Sequence, residues 1–281
     1  MNPSTSTAHA ARYDLDPPQE QAPGVRSWIT RGANFVLVLS EVQAGARLAR
    51  DDQPDEYMLL LPDAPATVTA NGERLAAGAG SLTIVPPGAS EVVAQAAGRV
   101  VRLFSSRCAD LLPRAGNAAH YSGDTQPGVA PLQPWPAPPD GWRLRHYVLA
   151  DHVRPGQKTR VFRSSHLMIN VLLPREQPRD VRELSPHAHA DFEQGSLALA
   201  GRWVHHLRTP WTADMSAWRE DEHLEIGSPS LLVIPPKLVH TSRNVNAGPA
   251  WLVDVFAPPR LDFERQGLVL NADDYPLPAT A

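Results

Sequence analysis

The stretch Pro186-His187-Ala188-His189-Ala190-Asp191-Phe192-Glu193-Gln194, taken with Val233-Ile234-Pro235-Pro236-Lys237-Leu238-Val239-His240, decides how this chain is read. In an extended strand, residues two apart face the same side. His187 and His189 therefore project together while Ala188 points away. Two imidazoles at that spacing can meet one ion at about 2.0–2.2 Å. A third donor has to come round a turn, and Glu193 and Gln194 both stand there. His240 follows Pro235-Pro236, a rigid turn that sets where its strand begins. Imidazoles with one oxygen donor suit Fe(II), Mn(II), Ni(II), Zn(II) or Cu(II), and spacing alone does not choose among them.

Around this constellation the chain reads as strands. Residues 34–40, 99–104, 144–149, 166–173, 196–200, 203–208, 230–234 and 251–256 have strand length and strand composition. Ala66-Thr67-Val68-Thr69-Ala70 and Glu73-Arg74-Leu75 flank Asn71-Gly72, a pair suited to a type I′ hairpin turn. Residues 213–220 could form two helical turns. The segment 113–141 is rich in proline and reads as a linker. The chain also repeats itself: Ser81-Leu82-Thr83-Ile84-Val85-Pro86-Pro87 parallels Ser230-Leu231-Leu232-Val233-Ile234-Pro235-Pro236. Two copies of one β-unit are the economical explanation.

Composition agrees. Hydrophobic residues make up 42% of 281 residues, enough for a real core, and 29 prolines with 18 glycines favour many short elements joined by turns. The formal charge of −4, without a block of like charges, argues against a nucleic-acid or anionic-membrane partner. Cys108 is the only cysteine, which excludes an intrachain disulfide and a cysteine-based zinc cluster. The polar start, residues 1–25, has no signal-peptide pattern and reads as a flexible tail on a cytoplasmic protein.

The motif spacing resembles that of the cupin superfamily. His187-x-His189, four residues, Gln194, six residues and Gly201 match its first motif; Pro235, His240 and Asn244 match its second, with Lys237 in place of a glycine. The turn can form there without positive φ. Gln194 satisfies both gaps, whereas Glu193 satisfies only one and stands as the alternative. The resemblance implies an all-β bicupin of two tandem jelly-roll barrels, a ligand-less one over 26–112 and a metal-binding one over 142–281. In the first, Ala49, Asp51, Glu56 and Glu91 fall at the ligand positions. It further implies one divalent metal, with Fe(II) favoured and Mn, Ni or Zn open. His187, His189, Gln194 and His240 would hold it. The implied activity is a dioxygenase acting on a small aromatic or keto/enol acid, with a lyase, isomerase, decarboxylase or non-catalytic binding module as alternatives. The substrate would be an anionic small molecule, since a neutral ligand shell leaves the full charge of a dication unmet. A homodimer is a family-based expectation.

Of the neighbouring residues, His206 is a candidate pocket acid/base, although adjacent His205 competes for the inward position. His166, Met168 and Asn170 share one face and could line the cavity. The C-terminal unit carries about 11 extra residues between its motifs (194 to 235 against 56 to 86). They fall near Trp211 and Trp218, which could form a lid or wall.

Overall fold

The computed structural model describes residues 7–123 and 128–279. The first half holds β1 (His9–Arg12), β2 (Glu20–Ala22), β3 (Val25–Arg31), β4 (Phe35–Val42), β5 (Arg47–Gln53), β6 (Tyr57–Leu61), β7 (Ala66–Ala70), β8 (Glu73–Ala77), β9 (Ser81–Val85), β10 (Gly88–Ala94) and β11 (Gly98–Ser105). The second half holds β12 (Arg145–Val148), β13 (Thr159–Arg163), β14 (Met168–Leu172), β15 (Gln194–Ala200), β16 (Trp203–Arg208), β17 (Glu222–Ile226), β18 (Ser230–Ile234), β19 (Val239–Asn244), β20 (Trp251–Phe256) and the short helix α1 (Leu261–Arg265). Each half is a barrel of two antiparallel sheets. In the first, β12-β9-β6-β11-β4-β3-β2 faces β5-β10-β7-β8; in the second, β1-β18-β15-β20-β14-β13 faces β17-β16-β19. This is the all-β, two-barrel architecture that the strand signals, the internal repeat and the family resemblance led one to expect. No helix among the described residues is long and apolar enough to cross a membrane.

The hairpin at Asn71-Gly72 forms as its chemistry requires. Both residues have positive φ, at 50° and 79°, and the strands close on the pair Ala70–Glu73. Residues 213–220 do not make two helical turns. A single 3-10 turn, Met215–Ala217, forms inside a long loop capped by the Asp214 carboxylate, which accepts from the Ser216 N–H.

Of the tail expected over 1–25, residues 1–6 lie outside the described residues, and the rest departs from that expectation. Within residues 1–25, β1 lies against β18 of the second barrel and β2 against β3 of the first. Conversely, β12, inside the span assigned to the second barrel, pairs with β9 of the first. The two halves thus exchange edge strands. Strands of three or four residues carry too little periodicity to be read; what selects them is a neighbour's unpaired backbone donors and acceptors.

Strand alternation divides the interior into separate cores. One face of β4, β6, β9 and β11 supplies Leu37, Leu39, Met58, Leu60, Leu82, Ile84, Val101 and Leu103 to a core shared with Leu197, Leu199, Leu231, Val233, Val253 and Val255 of the second barrel. The opposite face fills the first barrel with side chains such as Val36, Val38, Leu59, Val68, Val92 and Phe104.

A reciprocal pair of polar latches joins the halves. The Glu56 carboxylate accepts from the Tyr275 hydroxyl (2.8 Å) and the Ser165 hydroxyl (3.2 Å). The Glu193 carboxylate accepts from the Ala33 N–H (2.5 Å) and the Tyr121 hydroxyl (3.1 Å). Burial pushes both glutamates above the usual carboxylate range, and these hydrogen bonds oppose the shift. Asn117 and Asn271 repeat the same correspondence, each exchanging two hydrogen bonds with the backbone of Arg31 or Arg163.

Tyr13, just beyond β1, is buried in the shared core beside Trp28 and donates to the Thr30 hydroxyl at 2.9 Å. Tyr13→Ala is expected to destabilise the protein by about 3 kcal/mol. Chemical denaturation measures the loss. A change near zero would show that the exchanged strand is not held in place.

Candidate metal centre

His189 leads into the turn before β15, Gln194 opens β15, and His240 lies in β19. His187 meets His240 in an isolated antiparallel bridge, with reciprocal backbone hydrogen bonds of 3.1 and 2.8 Å. The Lys237 N–H donates to the His189 carbonyl at 2.6 Å. Lys237 has φ of 66°, so the turn does form with positive φ, contrary to the expectation for a non-glycine residue. Its hydrogen bond to His189 ties the second motif to the first and holds that conformation in place.

One ligand atom from each of His187, His189 and His240 lies within 4.8 Å of the others. A single point is therefore no more than about 2.8 Å (4.8/√3) from all three, near the imidazole–metal bond length. The Nδ1–H of His187 donates to the Ser185 carbonyl, and that of His240 to the Leu238 carbonyl, both at 2.9 Å. These bonds fix the tautomer and leave each Nε2 free to ligate. Gln194 Oε1 sits 2.8 Å from His189 Nε2 and 3.4 Å from His240 Nε2. Gln194 Nε2 donates to Asp254 Oδ1 (3.0 Å) and to the Ser196 hydroxyl (2.8 Å), and that hydroxyl donates to Asp254 (2.7 Å). This network turns the amide oxygen toward the imidazoles. Glu193, the alternative donor, is one residue out of phase and turns into the latch to Ala33 and Tyr121. The residues present fit a first-row divalent ion with three nitrogen donors and one neutral oxygen.

Burial dominates the electrostatics. It lowers His189 to about 3 and His240 to about 4, and nearby Arg260 adds to both shifts. Burial raises Asp254 to about 6, against the pull of its hydrogen bonds and of His187 and Arg260. His189 and His240 are therefore neutral and ready to ligate at neutral pH.

The site opens into a cavity of about 320 Å³. Arg175, Arg179 and Arg260 line it, with Trp203, Phe256 and Phe263 as apolar walls. The Arg260 guanidinium lies 4.0 Å from the Phe263 ring centre and pairs with Asp262. Asn170 Oδ1 and Thr241 Oγ1 also border the cavity, and both are buried without a hydrogen-bond partner.

Other sequence candidates are placed differently. His206 lies on the outer side of β16, accepts from Arg243 Nε (3.2 Å) and contacts His223 Nδ1 (2.8 Å). His205 takes the inward position, bonded to the Ser242 hydroxyl at 2.7 Å. The alternation of the strand admits one histidine of the pair, and it is not the one proposed as acid/base. Asn170 borders the cavity, but His166 turns toward Asp55 and Arg107, and Met168 packs in a small core with Phe256. Trp211 and Trp218 stack on each other at 4.7 Å beside a separate surface pocket, so they are not a wall of the metal cavity. The arginines and Asp254 were missed. Asp254 had a readable signal: it interrupts an apolar strand at an inward position between Leu252 and Phe256.

No protein-family model matches the sequence, and no curated protein matches it. Solved structures do. Protein Ylba from E. coli is 13% identical, with 91% of this chain and 92% of that one aligned at a TM-score of 0.59. A cupin 2 conserved barrel domain protein from Leptotrichia buccalis is 8% identical, covering 89% and 96% at 0.50. Oxalate decarboxylase from Bacillus subtilis, which has Mn(II) centres, is 12% identical, covering 89% and 77% at 0.56.

Asp254→Asn is expected to weaken metal binding by roughly 10- to 100-fold, because the amide of Gln194 loses its charged anchor. Calorimetric titration with Mn(II) reads this, and an unchanged affinity would remove Asp254 from the site. In the metal-free protein, NMR of the imidazole nitrogens at pH 5 should find His189 and His240 neutral, with His240 carrying its proton on Nδ1. Protonation of either near pH 6.5 would contradict the burial described.

Proposed function

Because the chain has the two-barrel cupin fold, we propose that it is a metal-dependent enzyme acting on a small anionic organic acid in the C-terminal barrel. The observation that carries this reading is the convergence of three imidazoles and one carboxamide beside an arginine-lined cavity, which His187, His240 and Gln194 border. A bound dication supplies Lewis acidity and, for Fe(II), oxygen chemistry. His187, His189, Gln194 and His240 hold it without neutralising its charge. An anionic substrate supplies that missing charge, and Arg175, Arg179 and Arg260 draw it in. The Asn170 carboxamide oxygen accepts a donor from the substrate, and the Thr241 hydroxyl oxygen offers a second contact. Phe256, Phe263 and Trp203 exclude water from one side of the cavity.

Dioxygenation of an aromatic or keto/enol acid on Fe(II) fits a site in which four protein donors leave two positions open. A decarboxylase or isomerase is the second reading, and Asp254 favours it. This carboxyl group borders the cavity and, with its pKa raised to about 6 by burial, can take up or release a proton. The Mn(II) centres of the decarboxylase from Bacillus subtilis support the same reading. His206, facing away from the cavity, has no part in either.

Purified protein loaded with Fe(II) or Mn(II), then offered catechols, gentisate-like acids, diketones and short dicarboxylates, separates the readings. O₂ uptake marks the dioxygenase, and CO₂ release or isomerised product without oxygen marks the second reading. His240→Ala should abolish either activity by at least about 100-fold. Metal binding without turnover of any acid would leave a binding module, and turnover that survives His240→Ala would overturn the assignment.

A further inference from the structure

The first barrel carries a structural counterpart of the metal cavity. Strand pairing sets the correspondence. Gln194 pairs with Ile234 and Phe256, as Tyr57 pairs with Val85 just before Pro86. Tyr57, not Glu56, therefore occupies the position of Gln194, and Glu56 corresponds to Glu193 in the latches. The bridge of His187 to His240 is matched by the pair of Arg50 with Ser90. The Tyr57 hydroxyl lies 3.2 Å from the Ser90 hydroxyl, as Gln194 lies beside His240. Asp254 pairs with Asn170 and Ser196; Arg102 pairs with Val38 and Leu59 at the same place. The three histidines are gone, the residue at the place of His189 is the exposed Asp52, and the charge changes sign at two positions: arginines stand in place of His187 and Asp254. The carboxylates once expected there do not converge. Asp51 is exposed and Glu91 turns outward to Arg47.

A cavity of about 540 Å³ is bordered by Arg50, Arg102 and Val38 of this set, with Tyr57 and Ser90 outside its lining. Its walls include Ile29, Val38, Leu48 and Phe104, and four arginines line it. Three of them already have carboxylate partners: Arg47 pairs with Glu91, Arg50 with Asp110 and Arg114 with Glu20. Arg102 has none. Its side chain is 92% buried by residue exposure (8% exposed), and its Nε has no hydrogen-bond partner. Its neighbours are the Phe104 ring, 5.6 Å away, and, less directly, Tyr57 and the Glu20 carboxylate, which Arg114 already engages. Burial, with the Arg50 and Arg114 charges adding, holds its pKa below the ordinary arginine range, although a guanidinium stays charged throughout working pH. A buried cation without a direct ion pair is costly to the fold, and an anion bound on it would offset that cost.

We infer that the N-terminal barrel is a second ligand site, which binds a small organic carboxylate with its anionic head on Arg102 and its apolar body against Val38, Leu48 and Phe104. The inference is independent of the metal reading, because no residue is shared between the two cavities.

Benzoate, with benzamide as its neutral counterpart, tests it on the full-length protein by calorimetry. Benzoate is expected to bind the wild type and His240→Ala equally, and Arg102→Met at least about tenfold more weakly; benzamide should not bind. Arg102→Met removes an unpaired buried charge, so its melting temperature should equal or exceed that of the wild type. A lowered one would make Arg102 a structural anchor and overturn the proposal. So would benzoate affinity unchanged in Arg102→Met, affinity lost in His240→Ala, or no saturable benzoate binding to the wild type. Methyl NMR of the wild type gives a reading free of variants: benzoate should shift Val38 and Leu48, and unshifted signals would refute the site.

Discussion

The two large sheets are buried on both faces, and that constraint organises the molecule. Outward-facing leucines and valines of one barrel interdigitate with those of the other. Burial of this apolar area is the main source of stability available to the fold. It also fixes the register, since a slip of one residue would move each set of side chains to the wrong side. With the shared face committed, only the inward face of each barrel is free to vary. The two halves have used that freedom oppositely. The first barrel is filled with valine, leucine and phenylalanine around arginine; the second keeps small and polar residues around three histidines.

Polar groups inside this scaffold are held by reciprocal ties. Glu56 and Glu193 each cross to the other half, where a tyrosine hydroxyl and a backbone N–H satisfy the carboxylate. Burial alone would make such groups costly, and their hydrogen bonds offset that cost. At the candidate metal centre the same kind of tie orients the donors. Backbone carbonyls take the Nδ1 protons of His187 and His240, and Asp254 and the Ser196 hydroxyl accept from the Gln194 amide. The donor atoms are thereby aimed before an ion arrives.

Much of this could be read in the chain. The period-two patterns, the Asn71-Gly72 turn and the repeated Pro-Pro strands gave the duplicated all-β architecture, because local backbone preferences and alternation are properties of consecutive residues. His187, His189, Gln194 and His240 were singled out on the same basis, and the fold brings them together. The choice between Glu193 and Gln194 depended on which side of the β15 turn each faces. Spacing favoured Gln194, which satisfies both gaps, and kept Glu193 as the alternative. Asp254 and the cavity arginines lie on distant segments with no motif, so nothing local marked them.

The strand exchange, the role of Tyr57 as counterpart of Gln194 and the unpaired Arg102 belong to the tertiary structure alone. An edge strand of four residues is selected by a neighbour's open hydrogen bonds, and a residue's counterpart is set by pairing across a bulge. The sequence by itself determined the strand periodicity, the turns and the identity of the donors, since these follow from neighbouring residues. Only the tertiary structure decided which donors meet, which charges go unpartnered and which half completes the other's sheet, because each of those is a relation between residues that are far apart along the chain.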